Sequence, residues 1–204
     1  MLDTTADPTV RYAEKLTRDN ATFVMVDFLE GFLAGIQTIE PRMFRANAAA
    51  FARVSEIFAM PTILLGDEGG FRGDFMADVT AHLGHAVRIE RHAVSAWREP
   101  RFREEIERIG RRKIVAGGIS IDICTLQLAL DLRGAGYDVH VVGDVCGCDT
   151  ALNEAMAISR MTQAGVVMTN WGSVASEIMV DWATPEGPAV GQLYQDHSTW
   201  GRRF

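Results

Sequence analysis

Strand-like and helix-like stretches alternate six times along this chain. Thr22–Asp27 (TFVMVD), Pro61–Gly66 (PTILLG), Lys113–Gly117 (KIVAG), Tyr137–Val142 (YDVHVV) and Gly165–Thr169 (GVVMT) read as strands, and His85–Glu90 as a weaker one. Segments 42–58, 74–83, 100–110, 122–135, 152–164 and 173–182 read as helices by the spacing of their apolar residues. Apolar strands separated by amphipathic helices imply a parallel sheet covered on both faces. Right-handed crossovers then give a doubly wound α/β/α sandwich with six parallel strands, Rossmann-like in class. No G-x-G-x-x-G follows the first strand, so the dinucleotide-binding use of this architecture is not expected.

A length of 204 residues fits one domain, and no linker, repeat or shift of composition divides it. The core is expected over about 20–183. Residues 184–204 (TPEGPAVGQLYQDHSTWGRRF) read as an irregular extension carrying Trp200, either on the surface or as an arm onto a neighbouring subunit. The net charge of -7, from 20 basic and 27 acidic residues, removes the attraction for phosphate that drives nucleic-acid binding. Neither a nucleic acid nor a membrane is expected as partner. Apolar runs such as Ile63–Leu65 and Ile114–Ala116 fall far short of the ~20 residues that span a bilayer. The opening MLDTTADPTVRYAEKL has no basic region before an apolar core, so no signal peptide is expected. Three cysteines, Cys124, Cys146 and Cys148, point to free thiols in a reducing compartment, the cytoplasm.

In an open α/β sheet, ligands bind beyond the carboxyl ends of the strands. The polar residues there are Asp27, then Asp67 and Glu68, then Arg91 and His92, then the run Gly117 to Cys124, then Asp144. Asp27, Arg91 and Cys124 make chemical sense together. A thiol is mostly protonated at neutral pH and needs a base, a cation or a helix N-terminus to react. Cys124 falls in the first turn of the helix expected over 122–135, Asp27 offers a base and Arg91 a cation. Backbone N–H groups at Ser120 and Cys124 would form an oxyanion hole. The competing readings are ordinary ones: a buried thiol, a helix-capping aspartate and a surface arginine. Phe28, Phe32, Trp97 and Trp171 are candidate pocket walls, with core packing as the alternative. Cys146 and Cys148, one residue apart, would make a strained disulfide and too few ligands for zinc, so they read as buried loop thiols. His82 and His85 lack a partner at ligand spacing, and no metal or other cofactor is expected.

Three of these stretches carry a resemblance. Asp27-x-x-x-x-Phe32, Arg91-x-x-x-Ser95-Ala96-Trp97 and Gly118-Ile119-Ser120-Ile121-Asp122-Ile123-Cys124-Thr125 are similar, in order and spacing, to the motifs of isochorismatase-like cysteine hydrolases. Asp144, Arg160-Met161-x-x-Ala164-Gly165, Trp171-Gly172-x-Val174-Ala175-x-Glu177 and Asp181-Trp182 resemble the YcaC-like branch. The resemblance spans roughly residues 20–180. It implies strand order 3-2-1-4-5-6, an Asp–Lys–Cys triad for amide hydrolysis, and a cis peptide at Ile119–Ser120. It also implies a homo-oligomer, a tetramer or octamer. By match, Asp27 is the base and Cys124 the nucleophile.

The sequence departs from the pattern in three places. Arg91 stands at the family lysine; it keeps the charge but cannot shuttle a proton. Leu29 stands where the family often has glutamine. The Asp-x-His-x-x-His metal pattern of nicotinamidases is missing, because Asp67 is followed by Glu68-Gly69-Gly70-Phe71. The expected function is therefore a metal-independent cysteine hydrolase of a small amide or related C–N bond. An ester or thioester hydrolase would use the same triad. A non-catalytic scaffold or a redox-sensing thiol protein would show, respectively, an inert Cys124 or reversible oxidation without turnover.

Overall fold

The computed structural model describes residues 13–199. Six strands, β1 (Ala21–Val26), β2 (Thr62–Leu65), β3 (Val87–Ile89), β4 (Lys113–Gly118), β5 (Asp138–Val142) and β6 (Val167–Thr169), form one sheet in the order β3-β2-β1-β4-β5-β6. Every adjacent pair is parallel. β1 and β4 lie at the centre, with all their residues buried, as strands covered on both faces must be. Their register sets Val26 opposite Gly118, so both strands deliver their next residues to the same edge. This is the switch in strand order, where the chain after β1 and after β4 diverges to opposite sides.

The helices are α1 (Pro41–Ile57), α2 (Ala77–Thr80), α3 (Pro100–Ile109), α4 (Leu126–Gly134), α5 (Ala151–Gln163), α6 (Trp171–Met179) and α7 (Gly187–His197). α1 starts cleanly because Glu40 accepts a hydrogen bond from Met43 N at 2.9 Å and Pro41 has no N–H to leave unpaired in the first turn. Its inner face buries Phe44, Ala48, Phe51, Ala52 and Val54. Phe51 stacks on Phe23 of β1 with ring centroids 5.1 Å apart. Truncating such a ring costs about 3–5 kcal/mol, so this contact is a principal tie between helix and sheet. α3 ends at Gly110, which takes the left-handed conformation expected of a terminating glycine.

Three expectations need correction. The helix expected over 74–83 is the single turn Ala77–Thr80, because the loop before it pairs with the chain after β1 instead. The helix expected over 122–135 is split into a wide π-helical turn, Ile121–Thr125, and α4. The C-terminal stretch is not irregular: α7 packs on α1 and α6, burying Val190 and Leu193. Arg53 donates to Asp196 at 2.8 Å and Tyr194 stacks near Trp171, with centroids 5.1 Å apart. Trp200 lies outside the described residues. Among the described residues no helix is long and apolar enough to cross a membrane.

Candidate active site

The site begins where β1 ends. Asp27 has φ 51°, in the left-handed region that aspartate tolerates better than β-branched residues. Its N–H donates to Leu65 O at 2.9 Å, and Leu29 N donates back to Asp27 O at 2.6 Å. This tight turn aims a carboxylate, only 3% exposed, across the sheet edge. Across from it, Gly118 closes β4 with φ 146°. A Cβ there would lie 1.8 Å from Val26 O, so only glycine allows the two strand ends to approach this closely. The next peptide, Ile119–Ser120, is cis. The turn that follows is held by Thr125, whose N donates to Ser120 O and whose Oγ1 donates to Gly118 O, each at 3.1 Å. Ser120 Oγ donates to Asp122 Oδ1 at 2.6 Å. Cys124 rides on this turn, half-buried and facing a cleft.

Arg91, past β3, is 7% exposed and forms an ion pair with Asp27. Nε donates to Asp27 Oδ1 at 3.1 Å and Nη2 meets Oδ2. Nη1 donates to Ala93 O at 2.5 Å and Val94 O at 3.2 Å. Two side chains and a loop are thereby locked together in the fork geometry that arginine, not lysine, supplies.

Asp27, Arg91 and Cys124 line one cleft of about 300 Å³. Leu29, Phe32, Phe71 and Val94 give it apolar walls, and Asp67, Arg72 and His92 add charge or potential charge. Of the aromatic candidates, Phe32 lines this cleft. Phe28 does not: it is fully buried, its ring 6.1 Å from that of Phe44. Trp97 packs edge-on against Phe102 at 6.4 Å and Tyr137 at 5.9 Å. Trp171 faces a second cleft of about 690 Å³ and donates its indole N–H to Asn47 Oδ1 at 3.2 Å. Asp144 belongs to that second cleft, accepting from Trp171 N at 3.1 Å, and burial pushes its carboxyl up to about 6. Phe71, Arg72 and Val94 were not anticipated, because the loops carrying them have no periodicity to read.

Cys146 and Cys148 are both buried thiols. Cys146 Sγ accepts from Gly118 N at 3.3 Å and donates to Val142 O at 3.2 Å, and burial pushes it up to about 12. It braces the β4 end and is no nucleophile. Cys148 donates to Thr150 O at 3.2 Å. Asp67 after β2, with Glu90 and His92 after β3, places three ligand atoms within 4.8 Å of one another, as do Asp122, Cys148 and Asp149. Spacing along one loop could not show sets assembled from separate elements. Glu90 and His92 are exposed and already hydrogen-bonded to each other at 3.1 Å.

Comparison with known proteins places the fold. The isochorismatase domain model matches residues 21–173. The chain belongs to the isochorismatase family of hydrolases. It is 29% identical to the "Probable hydrolase YcaC" of Escherichia coli (strain K12) over 186 residues, which is 90% of this chain and 88% of that one. The crystal structure of the Escherichia coli YcaC product, described as an octameric hydrolase of unknown specificity, superposes with TM-score 0.85 over 90% of both chains. YcaC from Pseudomonas aeruginosa, solved with hexane-2,5-diol and covalent acrylamide, is also 29% identical with TM-score 0.85, over 90% of this chain and 92% of that one. The order β3-β2-β1-β4-β5-β6 is that of the YcaC fold.

Proposed function

We propose that this family member is a cysteine-dependent hydrolase of a small amide or related C–N bond. The observation that carries the reading is one cleft lined by a half-buried thiol, Cys124, and a buried carboxylate, Asp27, fixed by Arg91. In this reading Asp27 takes the Cys124 proton, and the thiolate adds to the substrate carbonyl. The N–H groups of Ser120 and Cys124 receive the oxyanion. Asp27 returns its proton to the departing amine, leaving an acyl thioester on Cys124. It then draws a proton from water, which adds to the thioester and frees the acid and the thiol. Arg91 is a positioning residue: all three of its nitrogens are engaged, so it holds the carboxylate rather than the substrate. Phe32 and Leu29 supply apolar contact; Leu29 removes the polar contact that a glutamine would offer.

The covalent acrylamide on the Pseudomonas aeruginosa relative suits a fold that presents a nucleophile. The octameric Escherichia coli relative supports a homo-oligomer here, and the free cysteines support a reducing, cytoplasmic setting. The test is ammonia release across a library of small amides. The intact protein should release ammonia from at least one of them, and Cys124→Ala should release none while keeping its fold and assembly. Turnover retained by Cys124→Ala would overturn the reading.

A further inference from the structure

The cleft holds a second arginine in a different condition from the first. Arg72 lies on the β2–α2 loop, and backbone hydrogen bonds bind that loop to the segment after β1. Gly31 N donates to Arg72 O at 2.9 Å, Glu30 N to Asp74 O at 3.0 Å, and Met76 N to Phe28 O at 2.8 Å. A Cβ on Gly31 would stand 2.6 Å from Arg72 O, so the approach of the two segments depends on that glycine. The side chain is also placed. Its guanidinium carbon lies 4.7 Å from the Phe32 ring centroid and 4.8 Å from that of Phe71. Nη1 donates to Gly31 O at 3.3 Å.

What this guanidinium lacks is an anion. Arg45, Arg53, Arg88 and Arg91 each pair with a carboxylate, but among the described residues Arg72 pairs with none. Asp67, the other acid of the cleft besides Asp27, makes no ion pair among the described residues either. The Asp27 and Arg91 charges cancel. A pre-positioned cation therefore faces the cleft with Nε and Nη2 unengaged among the described residues, in the planar geometry that fits a carboxylate. Leu29, Phe32 and Val94 give the space an apolar lining.

The geometry points to Arg72 as the residue that selects the substrate, by binding a carboxylate carried on the same small molecule as the scissile amide. The substrate class is then an amide acid: one amide, one carboxylate, and a short apolar linker lying against Leu29, Phe32 and Val94. The cleft of about 300 Å³ admits a molecule of that size. This inference rests on the Cys124 hydrolase reading for the amide end. The carboxylate end stands on Arg72 alone.

The experiment separates the two ends. Malonamate, succinamate and glutaramate are titrated by NMR into Cys124→Ala protein, each against the neutral diamide of the same length. At least one amide acid should bind about tenfold or more tightly than its diamide. Adding Arg72→Met should bring that ratio to about two or less, and Arg72→Lys should recover part of it, since charge returns without the fork. In protein with Cys124 intact, Arg72→Met should raise KM for the preferred amide acid more than it lowers kcat. Equal binding of acid and diamide at all three lengths would overturn the proposal, as would a preference that survives Arg72→Met. Amide-acid binding without ammonia release would retire the hydrolase reading and leave the Arg72 site standing. Ammonia release with no carboxylate preference would do the reverse.

Discussion

Asp27 and Arg91 are locked in a buried, two-point ion pair at the carboxyl edge of the sheet, one residue after β1 and two after β3. The pair joins a strained turn to a loop that is otherwise held by the Arg91 Nη1 contacts to Ala93 and Val94. Charge, position and backbone are therefore coupled there.

Removing Arg91 should damage both stability and turnover. Arg91→Ala leaves a buried carboxylate without its partner, which costs about 3–5 kcal/mol. Arg91→Lys keeps the charge but loses the fork, so it should fall between. The double variant Asp27→Asn, Arg91→Ala should lose less than the sum of the two, because they act as one unit. Denaturant unfolding at one protein concentration, with ammonia release alongside, measures this. An Arg91→Ala protein indistinguishable from the parent would make Arg91 a bystander.

Asp144 should destabilise the protein above pH 6. Burial raises its carboxyl from 3.8 to about 6, while the Trp171 N–H and its own backbone N–H pull the other way. The folded state therefore favours the protonated form. That contribution is full below pH 3.8 and is lost as pH rises through about 6. Asp144→Asn keeps an acceptor for Trp171 N. It should gain up to about 3 kcal/mol at pH 8 and almost nothing at pH 3. Equal effects at both pH values would show that Asp144 is not desolvated in solution.

His140 should set part of the acid limit. It sits on β5, 5% exposed; burial and the Lys113 cation push it down to about 4, against the smaller pull of Asp138 and Glu14. A neutral buried imidazole stabilises the fold fully above pH 6.5, and that stability is lost as pH falls towards 4. The loss amounts to about 3 kcal/mol. His140→Gln should flatten the stability profile between those limits. An unchanged slope would place the acid-sensitive group elsewhere.

Turnover should persist in EDTA, because no step of the proposed reaction needs a metal. Loss of activity on chelation, restored by a divalent ion, would give Asp67, Glu90 and His92 a role.

Much of the architecture was legible because β1, β2 and most of β4 are apolar runs, and each delivers polar residues beyond its carboxyl end. Asp27 and Cys124 could be grouped on that ground, and Arg91 joined them from the end of the weaker β3. The cleft walls could not. Phe71 and Arg72 sit in GDEGGFRGD, where glycine-rich sequence has no period and the pairing with the Leu29–Gly31 segment fixes the shape. Trp97 and Trp171 follow strand ends, yet their rings turn towards Phe102 and Asn47, a choice made by packing and one indole hydrogen bond. α7 was hidden by Gly187, Pro188 and Gly191, which read as breakers although proline is tolerated in a first turn.

The claim that Cys124 is the nucleophile is tested most directly by trapping the intermediate. The protein is mixed with an amide from which it releases ammonia, quenched in acid during turnover, and mapped by peptide mass spectrometry. The account predicts an acyl group, with the mass of the substrate less ammonia, on the peptide containing Cys124 and on neither Cys146 nor Cys148. Ammonia release with Cys124 unmodified, and undiminished in Cys124→Ala, would contradict it.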